Sequence, residues 1–264
     1  MSDYQTIRFD VNGPIAELVL DRPDDGNTFT AQLLTELSDA THRLANEPGV
    51  RAVVLRGNGK NFCFGANVDM FIAAGRENRP RLMRDLVTRF HNAMTRLVRL
   101  EVPVLGVAHG MTIGGGVALL AACDLVIATE STKFRLAWTG IGLSPDGGST
   151  SLLPRLIGPR RTLELLHTNR IFTAAEAHAW GFANWIVPEA ELDARWREIA
   201  AELASGPTLA LGACKRLVCD GADEPIESQM EREAIAISRI AGSEDTDEGC
   251  HAFRERRRPL FQGR

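Results

Sequence analysis

The sequence of 264 residues lacks the features of a disulfide or metal scaffold. Its five cysteines are odd in number and form no Cys-x-x-Cys pair. No metal site is therefore expected, and reduced thiols in a cytoplasm fit best. The first ten residues, MSDYQTIRFD, contain no apolar signal core, and Asp124 ends the apolar run around residues 117–122 well before membrane length. A cytoplasmic location without a membrane partner is expected.

An excess of charge of one sign is also absent. Thirty Lys and Arg against 34 Asp and Glu leave a net charge of -4, so no basic field attracts nucleic acid, which is not an expected partner. The nucleotide-binding patterns GxGxxG and GxxxxGK[ST] do not occur. Apolar residues at 44% and charged residues at 24% are typical of a folded globular protein that can bury a sizeable core.

Strand and helix signals alternate over the first 150 residues. Asn12 and Gly13 form a hairpin signal between two short strands, and Thr30 is expected to cap a helix that ends near Glu47. The predicted strands cover residues 4–10, 14–20, 51–57, 102–110 and 124–128, and further helices cover 82–100 and 114–123. This order predicts an α/β fold with parallel strands.

Helical patterns dominate after Leu152. Thr173 and Glu176 form a capping box, residues 183–187 resemble one more strand, and helical periodicity continues from 189 to about 256. We expect an α/β core in residues 1–200 and a helical region in residues 201–264. The exposed apolar faces of that region would need a partner subunit.

Two glycine stretches follow predicted strands, at residues 61–67 and 110–116. Glycines at such a position let backbone N–H groups approach a ligand oxygen without a Cβ in the way. The same glycines are also compatible with a turn required only for tight packing. Asp146, in the stretch SPDGG, has the pattern of a turn residue.

Several segments together resemble the crotonase, or enoyl-CoA hydratase/isomerase, superfamily over nearly the whole chain. They are RAVVLRGNGKNFCFGAN, VPVLGVAHGMTIGGGVALLAACDLVIA, KFRLAWTGIGLSPDGGST, LLPRLIGPRRTLELLHTNR, TAAEAHAWGFANWIVP and GCHAFRERRRPLFQGR. The resemblance implies a crotonase-like spiral of ββα turns, a helical C-terminal trimerisation region and a homotrimer or a hexamer of two trimers. It also implies an acyl-CoA thioester as substrate, with coenzyme A entering only as part of that substrate and no other cofactor.

The resemblance assigns roles to individual positions. The backbone N–H groups of Ala66 and Gly115 match the two donors that stabilise a thioester enolate in the family. The segment Ala66, Asn67 and Val68 matches a coenzyme A contact. Phe253 and Arg256 match C-terminal positions that reach a neighbouring subunit's ligand, although charge patterning alone makes Arg256 part of a solvated basic tail.

Departures from the hydratase pattern indicate the reaction. The two catalytic glutamates of enoyl-CoA hydratases correspond to Ala118 and Trp138, neither of which can transfer a proton. Asp146 corresponds to the carboxylate of the superfamily isomerases. The resemblance therefore implies an acyl-CoA isomerase, in which one carboxylate removes a C2 or C4 proton and returns it at the other end of a dienolate.

Other functions are compatible with the same residues. Trp138 and His91 have counterparts in 4-chlorobenzoyl-CoA dehalogenases, where the matching aspartate attacks the ring carbon and a histidine activates water. His91 could equally be a histidine without a chemical role, and Trp138 could simply fill the core or line an acyl pocket. An enoyl-CoA hydratase, a non-catalytic RNA-binding relative and an inactive assembly partner are the remaining alternatives.

Overall fold

The chain begins with the hairpin that Asn12 and Gly13 predict. The structure, a computed structural model, describes residues 4–264. Its first two strands, β1 (Ile7–Asn12) and β2 (Ile15–Leu20), pair antiparallel, and Gly13 has a φ of 59°. The hairpin prediction is confirmed, although the two turn residues are Gly13 and Pro14, since Asn12 still pairs with Ile15 in the ladder.

The central sheet has six strands in the order β1-β2-β3-β4-β6-β9. The remaining strands are β3 (Ala52–Gly57), β4 (Val104–Ala108), β5 (Met111–Ile113), β6 (Leu125–Thr129), β7 (Lys133–Arg135), β8 (Ile171–Thr173) and β9 (Trp185–Val187). From β2 to β9 every neighbouring pair in this sheet is parallel. The predicted α/β layering with parallel strands is confirmed, and only β1 runs antiparallel at the edge.

A second sheet of three strands was not predicted. It has the order β5-β7-β8, with β5 and β7 parallel and β7 and β8 antiparallel. Each of its strands is three residues long, which is too short to show an alternation of apolar and polar residues. The expectation of one strand after Leu152 was therefore wrong, because β8 precedes β9.

Helices cover both faces of the central sheet. They are α1 (Ala31–Leu44), α2 (Val68–Arg99), α3 (Gly115–Ala121), α4 (Ser149–Ile157), α5 (Pro159–Thr168), α6 (Ala174–Ala179), α7 (Leu192–Ser205), α8 (Thr208–Asp220), α9 (Ile226–Ile240) and α10 (Glu244–Glu255). Thr30 Oγ1 accepts a hydrogen bond from Leu33 N, so the predicted cap of α1 is confirmed. The capping box of Thr173 and Glu176 is present at α6.

Helix α2 begins earlier than residue 82, where its apolar periodicity starts. Asn67 caps its first turn, and the helix is interrupted at Gly75, which has φ 68° and ψ 170°. Pro80 lies inside the helix. The polar sequence between Gly75 and Pro80 hides this first segment from pattern reasoning, because its residues are mostly exposed.

The C-terminal part contains α8, α9 and α10. Helix α7 packs Trp196 and Ile199 on the sheet residues Val54 and Leu105, whereas every residue of α9 is at least partly exposed. The division at residue 200 and the assembly role of residues 201–264 stay predictions. Among residues 4–264 no helix has the length and apolar character needed to cross a membrane.

Candidate active site

The two glycine stretches meet at the carboxyl edge of the central sheet. The parallel strands β3 and β4 end side by side, and the loops that follow them are joined by a 2.9 Å hydrogen bond from Ile113 N to Cys63 O. A Cβ on Gly65 would lie 2.7 Å from Ile113 O and 2.9 Å from Gly115 N. Glycine is therefore required at position 65 for this close approach.

Ala66 and Gly115 present backbone N–H groups beside this contact. Within residues 4–264 neither N–H donates a hydrogen bond to a protein atom. Both residues line the same cleft. Two N–H groups in one cleft that have no protein acceptor can both donate to a single ligand oxygen. The role of Ala66 and Gly115 as oxyanion donors stays a prediction.

The cleft has a volume of about 710 Å³ and mostly apolar walls. Its lining includes the aromatic residues Phe29, Phe64, Phe71, Phe90 and Trp138, with Val68, Met83, Val87, Ile141 and Leu143. The polar side chains in the lining are Arg84, Thr88, His91, Ser144 and Asp146. Asp146 is thus the one carboxylate among the lining residues.

The Asp146 carboxylate is held at the cleft wall by an indole. Trp138 Nε1 donates a 2.9 Å hydrogen bond to Asp146 Oδ1, and Trp138 itself is 8% exposed. Burial raises the pKa of Asp146 above the usual aspartate value, while the Trp138 hydrogen bond acts in the lowering direction. A carboxylate with a raised pKa in an apolar cleft is suited to accepting protons near neutrality.

Asp146 also opens a tight turn. Gly147 and Gly148 have φ values of 62° and 73°, and Ser149 Oγ donates a 2.7 Å hydrogen bond to Asp146 O. The N–H of Gly147 donates a 3.0 Å hydrogen bond to His91 Nε2. The turn interpretation and the chemical interpretation of Asp146 are therefore compatible, because its backbone makes the turn and its side chain faces the cleft.

Ala118 and Trp138, which the resemblance matches to the hydratase glutamates, carry no ionisable group. Ala118 is fully buried, and a Cβ on Gly147 would lie 3.1 Å from its methyl group. Trp138 occupies the second position and donates to Asp146. No second carboxylate comes from either position.

The sequence profile of the enoyl-CoA hydratase/isomerase family matches residues 10–264. The chain belongs to the enoyl-CoA hydratase/isomerase family. The resemblance to the crotonase superfamily and the crotonase-like fold are both confirmed. As a member of this family the chain is an enzyme whose substrate class is the acyl-CoA thioesters.

Relatives within the family carry different reaction names. The 4-chlorobenzoyl coenzyme A dehalogenase-2 of Arthrobacter sp is 34% identical over 242 residues, which cover 92% of this chain and 88% of the relative. The 1,2-epoxyphenylacetyl-CoA isomerase of Escherichia coli K12 is 32% identical over 252 residues, 95% of each chain. The crystal structure of enoyl-CoA hydratase from Bacillus anthracis matches with a TM-score of 0.92 and 31% identity, covering 98% of this chain and 100% of that chain. Family membership alone therefore does not specify the reaction, which depends on the residues of the site.

The residues expected to contact coenzyme A fall in two places. Ala66 and Val68 line the cleft, whereas the Asn67 side chain accepts a hydrogen bond from Met70 N and caps α2. Phe253, which is 88% exposed, and Arg256 lie at the end of α10, outside the lining of the cleft in their own chain. Their proposed contact with a neighbouring subunit's ligand stays a prediction.

Sequence reasoning missed most of the cleft wall. Phe29, Phe90 and Arg84 have no motif around them. Phe29 lies before α1 and pairs with Ala66 in an isolated β-bridge, and Arg84 and Phe90 reach the cleft from α2. The one sequence feature that could have indicated a cleft residue was the position of Phe90 next to His91. His109 lies outside the cleft lining and makes a backbone contact, with Nε2 2.9 Å from Gly59 O.

Proposed function

We propose that this enzyme is an acyl-CoA isomerase that moves a C=C double bond by a 1,3-proton transfer through a thioester enolate. The observation that carries the proposal is the placement of Asp146 as the one carboxylate lining the cleft that also contains the N–H groups of Ala66 and Gly115. One base and one anion-binding pair suffice for this chemistry.

The proposed steps use only residues of the chain. The N–H groups of Ala66 and Gly115 donate to the thioester oxygen and stabilise the negative charge that develops there. Asp146 removes a proton from C2 or C4 and returns it at the other end of the conjugated anion. The raised pKa of Asp146 supports this role, because a stronger base accepts the carbon-bound proton more readily. No cofactor is needed beyond the coenzyme A of the substrate.

The experiment compares 3-enoyl-CoA, 2-enoyl-CoA and 4-halobenzoyl-CoA as substrates. We expect conversion of 3-enoyl-CoA to 2-enoyl-CoA and a loss of about 10²- to 10⁴-fold in Asp146→Asn, which keeps the size and the acceptor oxygen but not the basicity. Asp10→Asn, at an exposed position on β1, is the matched control. Full turnover by Asp146→Asn would show that another group is the base.

A second candidate function is hydrolytic dehalogenation of an aryl-CoA thioester. The hydrogen bond from Trp138 to Asp146 and the presence of His91 in the same cleft favour it, and so does the similarity to a protein named as a 4-chlorobenzoyl-CoA dehalogenase. In that reaction Asp146 would attack the ring carbon, halide would leave, and water would cleave the aryl ester. Halide release and an aryl-enzyme adduct seen by mass spectrometry would identify this function, and water addition to 2-enoyl-CoA would identify a hydratase.

We also propose that the chain assembles as a homotrimer or as a dimer of trimers through its C-terminal helices. The support is apolar exposure on α8 and α9, where Val218, Ile226, Ile235 and Ile237 are 77%, 66%, 60% and 70% exposed. So much exposed apolar surface on neighbouring helices is typical of an interaction face. Light scattering on the purified protein measures the assembly directly.

A further inference from the structure

We propose that His91 is a positioning residue that holds the Asp146 turn through its Nε2, which accepts the hydrogen bond from Gly147 N at 3.0 Å. The inference builds on the proposed function in taking Asp146 as the reacting carboxylate. It differs from a general-base role, in which His91 itself would take a proton from water or substrate.

The turn has little room to move toward its neighbours. Gly147 is buried, and a Cβ on it would lie 2.4 Å from the Phe90 ring and 3.1 Å from the Ala118 methyl group. The Gly147 backbone is therefore closely packed, and its N–H donates to Nε2 of His91, an exposed residue that lines the cleft. A buried N–H without an acceptor is destabilising, and in this turn His91 supplies the acceptor.

Three separate elements fix Asp146. Trp138 donates to its carboxylate, the Ser149 hydroxyl donates to its carbonyl oxygen, and His91 on α2 accepts from the N–H of the next residue. The His91 contact is the one that ties the turn to α2, a wall of the cleft. Without it, Asp146 is held by the Trp138 bond to its carboxylate and by the two bonds from the Ser149 hydroxyl and backbone N–H to its carbonyl oxygen.

The direction of the hydrogen bond determines the protonation of His91. Because Nε2 accepts, the ring proton of a neutral imidazole lies on Nδ1. In this state Nε2 has no free lone pair with which to deprotonate water. The arrangement therefore favours positioning over acid-base chemistry for His91.

His91 also separates the cleft from a second cavity. That cavity has a volume of about 400 Å³, and His91 and Gly147 both line it. A small residue at position 91 would enlarge both spaces, so a loss of activity in such a variant would have two explanations. The test therefore uses replacements that keep the side chain large.

The test compares His91→Gln with His91→Leu and His91→Phe in the full-length protein. Glutamine can place an acceptor oxygen near the Nε2 position, whereas leucine and phenylalanine have no acceptor. Asn92→Leu, an exposed neighbour on α2, controls for the added apolar surface. The readouts are kcat and KM for the accepted acyl-CoA and the hydrogen exchange of peptides covering Gly147 in the ligand-free protein.

We expect both acceptor-free variants to exchange faster at Gly147 and to lose about 10- to 100-fold in kcat with little change in KM, because a misplaced catalytic group affects the chemical step most. His91→Gln should restore slow exchange and most of kcat. Slow exchange in a folded acceptor-free variant, or the same kcat loss in His91→Gln as in His91→Leu, would overturn the proposal. Hydrogen exchange needs no substrate, so a failure of the isomerase proposal is detected separately by Asp146→Asn.

Discussion

The indole N–H of Trp138 donates a 2.9 Å hydrogen bond to the carboxylate of Asp146, eight residues later in the chain. The bond occupies one carboxylate oxygen and leaves the other for a substrate proton. It also acts against the burial that raises the pKa of Asp146. The resemblance matches Trp138 to a hydratase glutamate, and in this structure its side chain orients the Asp146 carboxylate instead.

Trp138→Phe should move the acid limb of the kcat/KM profile to higher pH. Asp146 is active as a base only when ionised, and its raised pKa already places this limb above the ordinary aspartate value of about 3.9. Loss of the indole donor removes a contribution that lowers the pKa, so the pKa rises further. The measurement is the pH dependence of kcat/KM, with Trp185→Phe as control. An unmoved limb, or one moved to lower pH, would contradict the prediction.

Asp146→Asn should be more stable than the wild type at neutral pH. The folded pKa of Asp146 is raised mainly by burial, so its ionised form is destabilising in the folded protein above that pKa. As the pH falls through the raised folded pKa, the carboxyl becomes neutral and the advantage of asparagine disappears. Thermal midpoints of both proteins at equal concentration and several pH values measure this. An advantage that grows toward acid pH would have the wrong sign.

Gly115→Ala should impair catalysis through the position of a backbone N–H. The new Cβ would lie 2.5 Å from Phe29 Cε2, so either the ring or the Gly115 backbone must shift. We expect kcat/KM to fall by about 10²- to 10³-fold if the donor is displaced, as for the loss of one oxyanion donor. Gly242→Ala is a matched control, because its Cβ would meet no atom within 4 Å. Equal activity of both variants would show that the N–H of Gly115 is not an oxyanion donor.

Lys215→Met should destabilise the fold. Lys215 is nearly buried, and its ammonium donates to Asp124 Oδ2 at 2.8 Å and to Leu97 O at 3.0 Å. Methionine removes the donor to the buried Leu97 carbonyl and the counter-charge of Asp124, whose side chain is 25% exposed, so we expect a cost of about 1–3 kcal/mol of unfolding free energy. Arg216→Met, which removes an exposed ion pair with Glu101, should cost less than about 1 kcal/mol. Denaturant unfolding compares the two variants, and equal losses would show that the buried Lys215 contributes no more than an exposed ion pair.

Ile237→Glu should weaken assembly without unfolding the chain. Ile237 is 70% exposed on α9, so a charge there is solvated in an isolated chain but costly in an apolar interface. We expect a shift toward smaller species in size-exclusion chromatography with light scattering. Val11→Glu, at an exposed position on the edge strand β1, is the control. If Ile237→Glu assembles as the wild type does, α9 is not the interface.

Local signals in the sequence were sufficient to predict most of the strands and helices of the fold. Asn12 and Gly13 specified the hairpin and Thr30 the start of α1, because turn geometry and helix capping depend on residues a few positions apart. The strands β3, β4 and β6 were visible because strands buried on both faces are nearly continuous apolar runs. The three-residue strands β5, β7 and β8 and the first part of α2 carried too little periodicity to be predicted, whereas the three-residue β9 was predicted.

The sequence by itself determined that this chain is an α/β protein of the crotonase type with one carboxylate at the Asp146 position. Its motifs also predicted Ala66 and Gly115 as backbone donors. The two residues lie close together because the parallel strands β3 and β4 end at the same edge of the sheet. Only the tertiary structure decided that Trp138 donates to Asp146 and that His91 accepts from Gly147. These contacts join α2, the segment after β7 and the turn before α4, and hydrogen bonds between distant segments depend on packing that no local pattern encodes.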